Sequence, residues 1–250
     1  TTLNYNITAK DSSNNWNETG AQTLSVTDDD APTISLDNSD NAGNTGDSFD
    51  FNITVVDNVD TAGLLTVKVN WSHNGTTTNY TLTNSVGNYF TGAVTLGHSI
   101  SNMTYTIYVN DSSSNLNSSS LISIEVTDND DPSSNVNTIL GYWKNSTNNP
   151  LLISATANDN IALKNVSLYY NYSSDNSSWN GWTLFDINTT PWIEINFLFT
   201  FPQGSGYYRF YTIAADNASR TESAPGSYDE LCGYDTIAPS TELYELSPYW

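Results

Sequence analysis

The sequence predicts an all-β chain of tandem antiparallel β-sandwich modules, each about 100 residues long. Three observations carry this. Apolar and polar residues alternate with a period of two in one segment after another, as strands with one buried face require. These segments are joined by Gly-, Asn- and Ser-rich stretches, the composition of turns. The whole pattern also repeats, because Pro32, Pro132 and Pro239 close equivalent segments about 100 residues apart.

Taken in order, the opening LNYNITAKDSSNNWNETGAQTLSVTDDDAP reads as strand, Asp–polar loop, strand, then acids and a proline. The same plan returns in MTYTIYVNDSSSNLNSSSLISIEVTDNDDP and in YYRFYTIAADNASRTESAPGSYDELCGYDTIAP. Residues 1–31 are therefore read as the C-terminal hairpin of a truncated module, and 32–131 and 132–238 as two whole modules. In the first, Phe49, Phe51, Ile53 and Val55 alternate with polar neighbours, as do Leu65, Val67, Val69 and Trp71. In the second, LLISATAND, NVSLYYNYS and YYRFYTIAAD do the same. The spacing from Pro132 to Gly141-Tyr142-Trp143 is matched from Pro239 to Pro248-Tyr249-Trp250, so 239–250 reads as the first strand of a further truncated module. No segment reads as a helix of more than a turn or two. The expectation is a window on a longer tandem array.

Composition narrows the function classes. Apolar residues make up 37% of the 250, which is enough to build cores. Six basic residues against 27 acidic ones give a formal charge of −21, which argues against nucleic-acid or anionic-membrane partners. No apolar run approaches 18 residues, so direct membrane insertion by a helix is not expected. The single cysteine, Cys232, rules out an internal disulfide framework and is read as a buried thiol, with an intermolecular disulfide as the lesser option. His73 and His98 stand alone, on a strand edge or turn. With no Ser-His-Asp grouping, His-rich pattern or phosphate loop, the chain reads as non-catalytic.

Alternating strands, an Asp–polar loop and V-T-D-x-D-x-P at the module boundary resemble cadherin-type and bacterial or archaeal immunoglobulin-like repeats. The second module also resembles repeats of large archaeal cell-surface proteins, in its ATANDN, LYYNYS, SSWNGWTLF, YYRFYTIAADNAS and GYDTIAP segments. The resemblance implies immunoglobulin-like sandwiches and an extracellular, cell-surface location.

In such a sandwich the first strand starts at the end that carries the B–C and F–G loops. The acids before each sandwich, Asp28, Asp29 and Asp30 and then Asp128, Asn129, Asp130 and Asp131, should therefore meet those loops. The first module supplies Asp57, Asn58 and Asp60 after strand B and Asp111 after strand F; the second supplies Asp159, Asn160 and Asp216. Hard oxygen ligands converging from separate loops are what Ca²⁺ accepts. Without Lys or Arg their charge is repulsive unless a cation sits among them. The expectation is Ca²⁺ at each of these two boundaries. The plainer alternative is that these residues only end strands and make Asx turns. The Tyr234-Asp235-Thr236 boundary has a single acid and is the weaker candidate.

Fifteen Asn-x-Ser/Thr sequons are candidates for N-linked glycans: Asn6, Asn17, Asn52, Asn70, Asn74, Asn79, Asn102, Asn110, Asn117, Asn145, Asn165, Asn171, Asn176, Asn188 and Asn217. Aromatics gather at Trp179, Trp182, Tyr169, Tyr170, Tyr172 and Trp192. They are read as core filling or contacts with neighbouring modules, against the alternative of a sugar-stacking face. The combined reading is a structural segment of a surface layer, stalk or filament, whose partners are other copies or modules of the same protein, with surface glycans a lesser option. Adhesin or carbohydrate-binding modules, or the stalk of a secreted enzyme, are the alternatives.

Overall fold

The computed structural model describes residues 2–191 and 194–242. Trp192 and the Pro248-Tyr249-Trp250 match lie outside the described residues. The chain is all-β, with two short 3-10 turns at Ala62–Leu64 and Ser146–Asn148 among the described residues. It divides into two compact units, Thr1–Thr127 and Asp128–Trp250.

The first unit opens on a long hairpin. Strands β1 (Thr2–Tyr5) and β4 (Gln22–Ser25) pair antiparallel, as do β2 (Thr8–Lys10) and β3 (Trp16–Glu18). Its apolar side chains Leu3, Tyr5, Ile7, Trp16 and Leu24 are exposed. A sandwich follows, built from β5 (Thr33–Asp37), β6 (Gly43–Asn44), β7 (Ser48–Val56), β8 (Thr66–His73), β9 (Thr76–Thr81), β10 (Thr83–Val86), β11 (Tyr89–Thr95), β12 (Met103–Asn110), β13 (Leu116–Ser118), β14 (Ile122–Ile124) and β15 (Val126–Thr127). One sheet runs in the order β10-β11-β7-β5. The other runs β13-β12-β8-β9, with β14 also beside β12, and β15 pairs with β6 in parallel.

The period-two pattern explains the packing. Phe49, Phe51, Ile53 and Val55 all point inward from β7, against Val67 and Val69 of β8 and Met103, Tyr105, Ile107 and Val109 of β12. Phe51 meets Tyr105 edge-on at 5.2 Å. Each buried side chain of this size stabilises the fold by roughly 1.5–3 kcal/mol. Strands β8 and β9 are joined by Asn74-Gly75, with φ of 50° and 75°, a two-residue turn whose left-handed backbone Asn and Gly tolerate. His73, expected at an edge or turn, ends β8 in a buried position. Its Nδ1 accepts the Gly97 N–H at 3.1 Å, which leaves Nε2 to donate to the Ser99 carbonyl at 3.1 Å.

The second sandwich has β16 (Ser133–Val136), β17 (Trp143–Lys144), β18 (Leu151–Asn158), β19 (Leu163–Ser173), β20 (Thr183–Asn188), β21 (Ile195–Phe199), β22 (Gly206–Asp216) and β23 (Glu230–Tyr234). Its sheets run β16-β18-β21 and β17-β23-β22-β19-β20. The core is more aromatic, with Tyr170, Phe197, Phe199, Phe201, Tyr208 and Phe210 buried together and Phe201 stacked on Tyr234 at 4.0 Å. Cys232 is wholly buried in β23, and burial pushes its thiol up to about 12. Among the described residues, no helix is long and apolar enough to cross a membrane.

Candidate metal centres

Each centre is assembled from three places in the chain. In the first unit, β7 ends at Val56 and the chain turns at once through Asp57, whose Oδ2 accepts the N–H groups of Val59 (2.9 Å) and Asp60 (2.7 Å). That Asx turn fixes the side chain and leaves Oδ1 buried with no hydrogen-bond partner. Asp111 follows β12 and is buried. Its Oδ1 accepts Asn115 N–H and its Oδ2 accepts Asn115 Nδ2, each at 2.7 Å. Asp28 approaches from the segment before the sandwich. Asn115 Nδ2 donates to its carbonyl at 3.2 Å, and its Oδ2 is buried without a partner. One carboxylate oxygen from each of Asp28, Asp57 and Asp111 lies within 4.8 Å of the other two.

The second unit repeats this plan. Asp159, just after β18, accepts the Ile161 and Ala162 N–H groups on Oδ2 at 2.9 and 3.1 Å and leaves Oδ1 buried and unpartnered. Asp216, the last residue of β22, is 0% exposed. Its Oδ1 accepts the Arg220 N–H at 2.8 Å, while its Oδ2 is buried with no partner. Asp128 Oδ1 accepts from Asn160 Nδ2 at 3.3 Å, and one oxygen each of Asp128, Asp159 and Asp216 again lie within 4.8 Å of one another. The acidic segment 128–131 thus belongs with the second unit rather than closing the first, because its hydrogen bonds run to Asn160 and Arg220.

The spacing suits a calcium-sized ion. Ca²⁺–oxygen bonds run about 2.3–2.6 Å, so two oxygens bound to one ion stand no more than roughly 5 Å apart. The electrostatics agree. Burial, with Asp57, Asp111 and Asp30 nearby, pushes the Asp28 carboxyl above its usual range. Burial likewise pushes Asp216 up, helped by Asp159 and Asp128. Backbone donors from Asp60 and Val59 hold Asp57 below its usual range, so that carboxylate stays charged beside the others. A buried carboxylate oxygen without a donor is costly, and each group contains such oxygens, on Asp28 and Asp57 in the first and on Asp159 and Asp216 in the second. A divalent cation would satisfy them. With mutual charge repulsion relieved, all three carboxylates would ionise.

The other acids anticipated from sequence play supporting parts. Asp30 Oδ2 accepts from Asn58 Nδ2 at 2.8 Å, as Asp130 Oδ2 does from Asn160 Nδ2 at 2.6 Å, so both Asn side chains tie the preceding segment to the B–C turn. Asp60 accepts the Ser112 N–H at 2.7 Å and its hydroxyl at 3.0 Å, bridging two loops. Asp131 receives Arg220 at 2.7 Å. Asp29 and Asn129 are exposed and outside both three-carboxylate groups. Asn115 and Arg220 were missed by sequence reasoning, although each stands four residues after its loop aspartate. The same spacing recurs at Asp11, which accepts Asn15 Nδ2 at 2.9 Å.

Eight of the sequon asparagines (Asn6, Asn17, Asn74, Asn79, Asn102, Asn145, Asn176 and Asn217) are exposed, and Asn52, Asn70, Asn110, Asn117, Asn165 and Asn188 are partly buried. Asn171 is buried opposite Arg209, away from the surface where a glycan would project. Of the aromatics, Tyr170 is in the core while Tyr169 stacks on Tyr211 on the outer face at 5.1 Å. Trp182 sits over Tyr211 at 4.3 Å and 56°, and the Arg209 guanidinium lies over the rings of Trp179 and Tyr228 at 3.7 and 4.5 Å. Trp143 lies on Gly233, where a Cβ would come within 2.4 Å of its ring.

No protein-family model matches the chain, and no curated protein matches it. Solved structures do. The chain is similar to the fibronectin(III)-like modules of Clostridium thermocellum CbhA (15% identity, 85% of this chain, 100% of that one, TM-score 0.32). It is also similar to a tetra-tandem repeat in the extending region of a large adhesion protein (15%, 94% of this chain, 56% of that one, 0.35). A third is the N-terminal eight immunoglobulin domains of Down Syndrome Cell Adhesion Molecule (11%, 94% of this chain, 28% of that one, 0.43).

Proposed function

We propose that the chain is a structural, non-catalytic segment of an extracellular multi-domain surface protein, in which Ca²⁺ held by Asp28, Asp57 and Asp111, and by Asp128, Asp159 and Asp216, locks the segment before each sandwich onto that sandwich. The carrying observation is the set of buried carboxylate oxygens left without donors, above all the fully buried Asp216 Oδ2. Asx turns account for one oxygen of Asp57 and of Asp159, but not for the second oxygen of each, which is buried without a donor. The Pro32 and Pro132 rings add a fixed backbone angle at the start of each sandwich, so a filled centre would set a regular spacing along the chain. Exposed sequons would carry glycans on the outside, and the partners would be other modules or copies of the same protein.

A sugar-stacking role is less well supported. The outer-face tryptophans do not lie flat with their neighbours, since Trp182 meets Tyr211 at 56° and Trp143 meets Tyr207 at 56°, and Trp179 is taken up by Arg209.

The test is a Ca²⁺ titration of the chelator-treated chain, followed by calorimetry and by melting temperature, with Mg²⁺ as control. The expected result is binding heat at two sites and a rise in melting temperature, at one site in each of Asp57→Asn and Asp159→Asn. Absence of both heat and shift overturns the proposal. Scattering measurements with and without chelator would read the accompanying change in stiffness.

A further inference from the structure

The two centres are built to one plan but differ in charge at four matched positions, the first of which holds Asp29 in one and Asn129 in the other. Four residues after the F–G aspartate, the first has Asn115 and the second Arg220. Three residues after the B–C aspartate, the first has Asp60 and the second Ala162. Immediately before the proline, the first has Ala31 and the second Asp131. The three loops around the first centre therefore carry six carboxylates (Asp28, Asp29, Asp30, Asp57, Asp60, Asp111) and no basic residue. Those around the second carry five (Asp128, Asp130, Asp131, Asp159, Asp216) and one guanidinium, a formal −4 against −6.

The arginine is held in place. Its N–H and carbonyl both pair with Asp216, and Nε and one terminal nitrogen reach Asp131 Oδ1 at 2.8 and 2.7 Å. It thus performs with a permanent charge what Asn115 performs in the first unit with an amide, which donates at 3.2 Å to the Asp28 carbonyl: it ties the preceding segment to the F–G loop. The ligand requirement survives in the second centre, because Asp159 Oδ1 and the fully buried Asp216 Oδ2 still lack donors.

We infer that the two centres are a graded pair: Arg220 supplies part of the positive charge in the second, so the centre of Asp28, Asp57 and Asp111 fills at lower Ca²⁺ and the centre of Asp128, Asp159 and Asp216 fills later. The inference rests on the reading that both centres take Ca²⁺. Oxygen-ligated calcium sites are tuned over decades by the number of charged ligands, and a fixed neighbouring cation opposes a second one. When calcium is low the second unit keeps a charged clamp from Arg220 to Asp131, where the first keeps the amide ties of Asn58 and Asn115.

Calorimetry with Ca²⁺ on the full chain tests the order, using Asp159→Asn to isolate the first centre and Asp57→Asn to isolate the second. The amide preserves the turn acceptor in each case. The first centre should bind about tenfold more tightly. In the Asp57→Asn background, Arg220→Asn should tighten the second centre about tenfold; in the Asp159→Asn background, Asn115→Arg should weaken the first. Should Arg220→Asn not fold, the unaltered centres still report, because affinity at the first must fall more steeply with added salt. Equal affinities with equal salt slopes, or Arg220→Asn that folds without tightening, overturn the gradation while calcium binding stands. No binding heat at either centre overturns the calcium reading itself.

Discussion

The two sandwiches reach the same end-of-sheet geometry by different construction. The first packs two sheets whose longest paths hold four strands each around an aliphatic core with Phe49, Phe51, Phe90 and Tyr105. The second sets a three-stranded sheet against a five-stranded one, fills the space with aromatics, and paves its outer face with Trp143, Tyr207, Arg209, Tyr211 and Trp182. Despite this, each places one aspartate directly after a core strand (β7 or β18), another at the end of a second core strand (β12 or β22), and a third before its first strand, within 4.8 Å of one another. What is common is register at one end of the sandwich; what varies is the packing that supports it. The carboxylate triad is therefore a property of strand ends, insensitive to how the core between the sheets is filled.

The two units should separate most clearly when their cores are altered. Phe51→Ala should cost about 3–5 kcal/mol and lower the melting of the first unit, and Phe199→Ala should do the same to the second. Calorimetry would resolve two transitions, each moved by its own substitution; a single transition shifted equally by both would mean that the units do not unfold independently.

The next effect separates the F–G aspartates. Asp111 has donors on both oxygens, whereas Asp216 has one on Oδ1 only. Without calcium, Asp111→Asn should destabilise by about 1–2 kcal/mol, because the amide presents a donor to one of those donors. Asp216→Asn removes an ill-satisfied buried charge and should be neutral or stabilising. Denaturant titration in chelator checks this, and equal losses would erase the distinction.

The carboxylates also differ in their response to pH. Asp28, Asp216 and Asp229 have carboxyls raised chiefly by burial, so the folded chain binds more protons than the unfolded one just above the ordinary carboxylate range. There the calcium-free protein should lose stability as pH rises. Below that range the sign reverses, because Asp57 and Asp175 are held low by backbone donors and their stabilisation is lost as pH falls. Saturating calcium should flatten the upper limb, and melting curves against pH with and without chelator would show it. The smallest effect concerns Gly75, at φ +75°: Gly75→Ala should cost about 1 kcal/mol and move only the first unit's transition.

Much of this was legible in the sequence because strand physics is local. The alternation of Phe49, Phe51, Ile53 and Val55 requires one buried face wherever the strand lies, and Asp57 and Asp159 directly follow such strands, where Asx turns form. The buried position of His73 was not legible. Its burial comes from Gly97 and Ser99, which local pattern does not connect to it. Nor was Arg220 legible as a partner of Asp131, since the two are 89 positions apart and meet only when the F–G loop folds against the preceding segment.

By itself the sequence determined the all-β class, the repeated plan, the acidic residues at the strand ends and the excess of negative charge, because period and composition are written residue by residue. Which oxygens are left without donors, which asparagine is buried and which acid is neutralised by arginine emerge only when the chain folds. Those properties depend on what distant loops bring within hydrogen-bonding distance, and in an antiparallel sandwich nearly all such neighbours are remote in the chain.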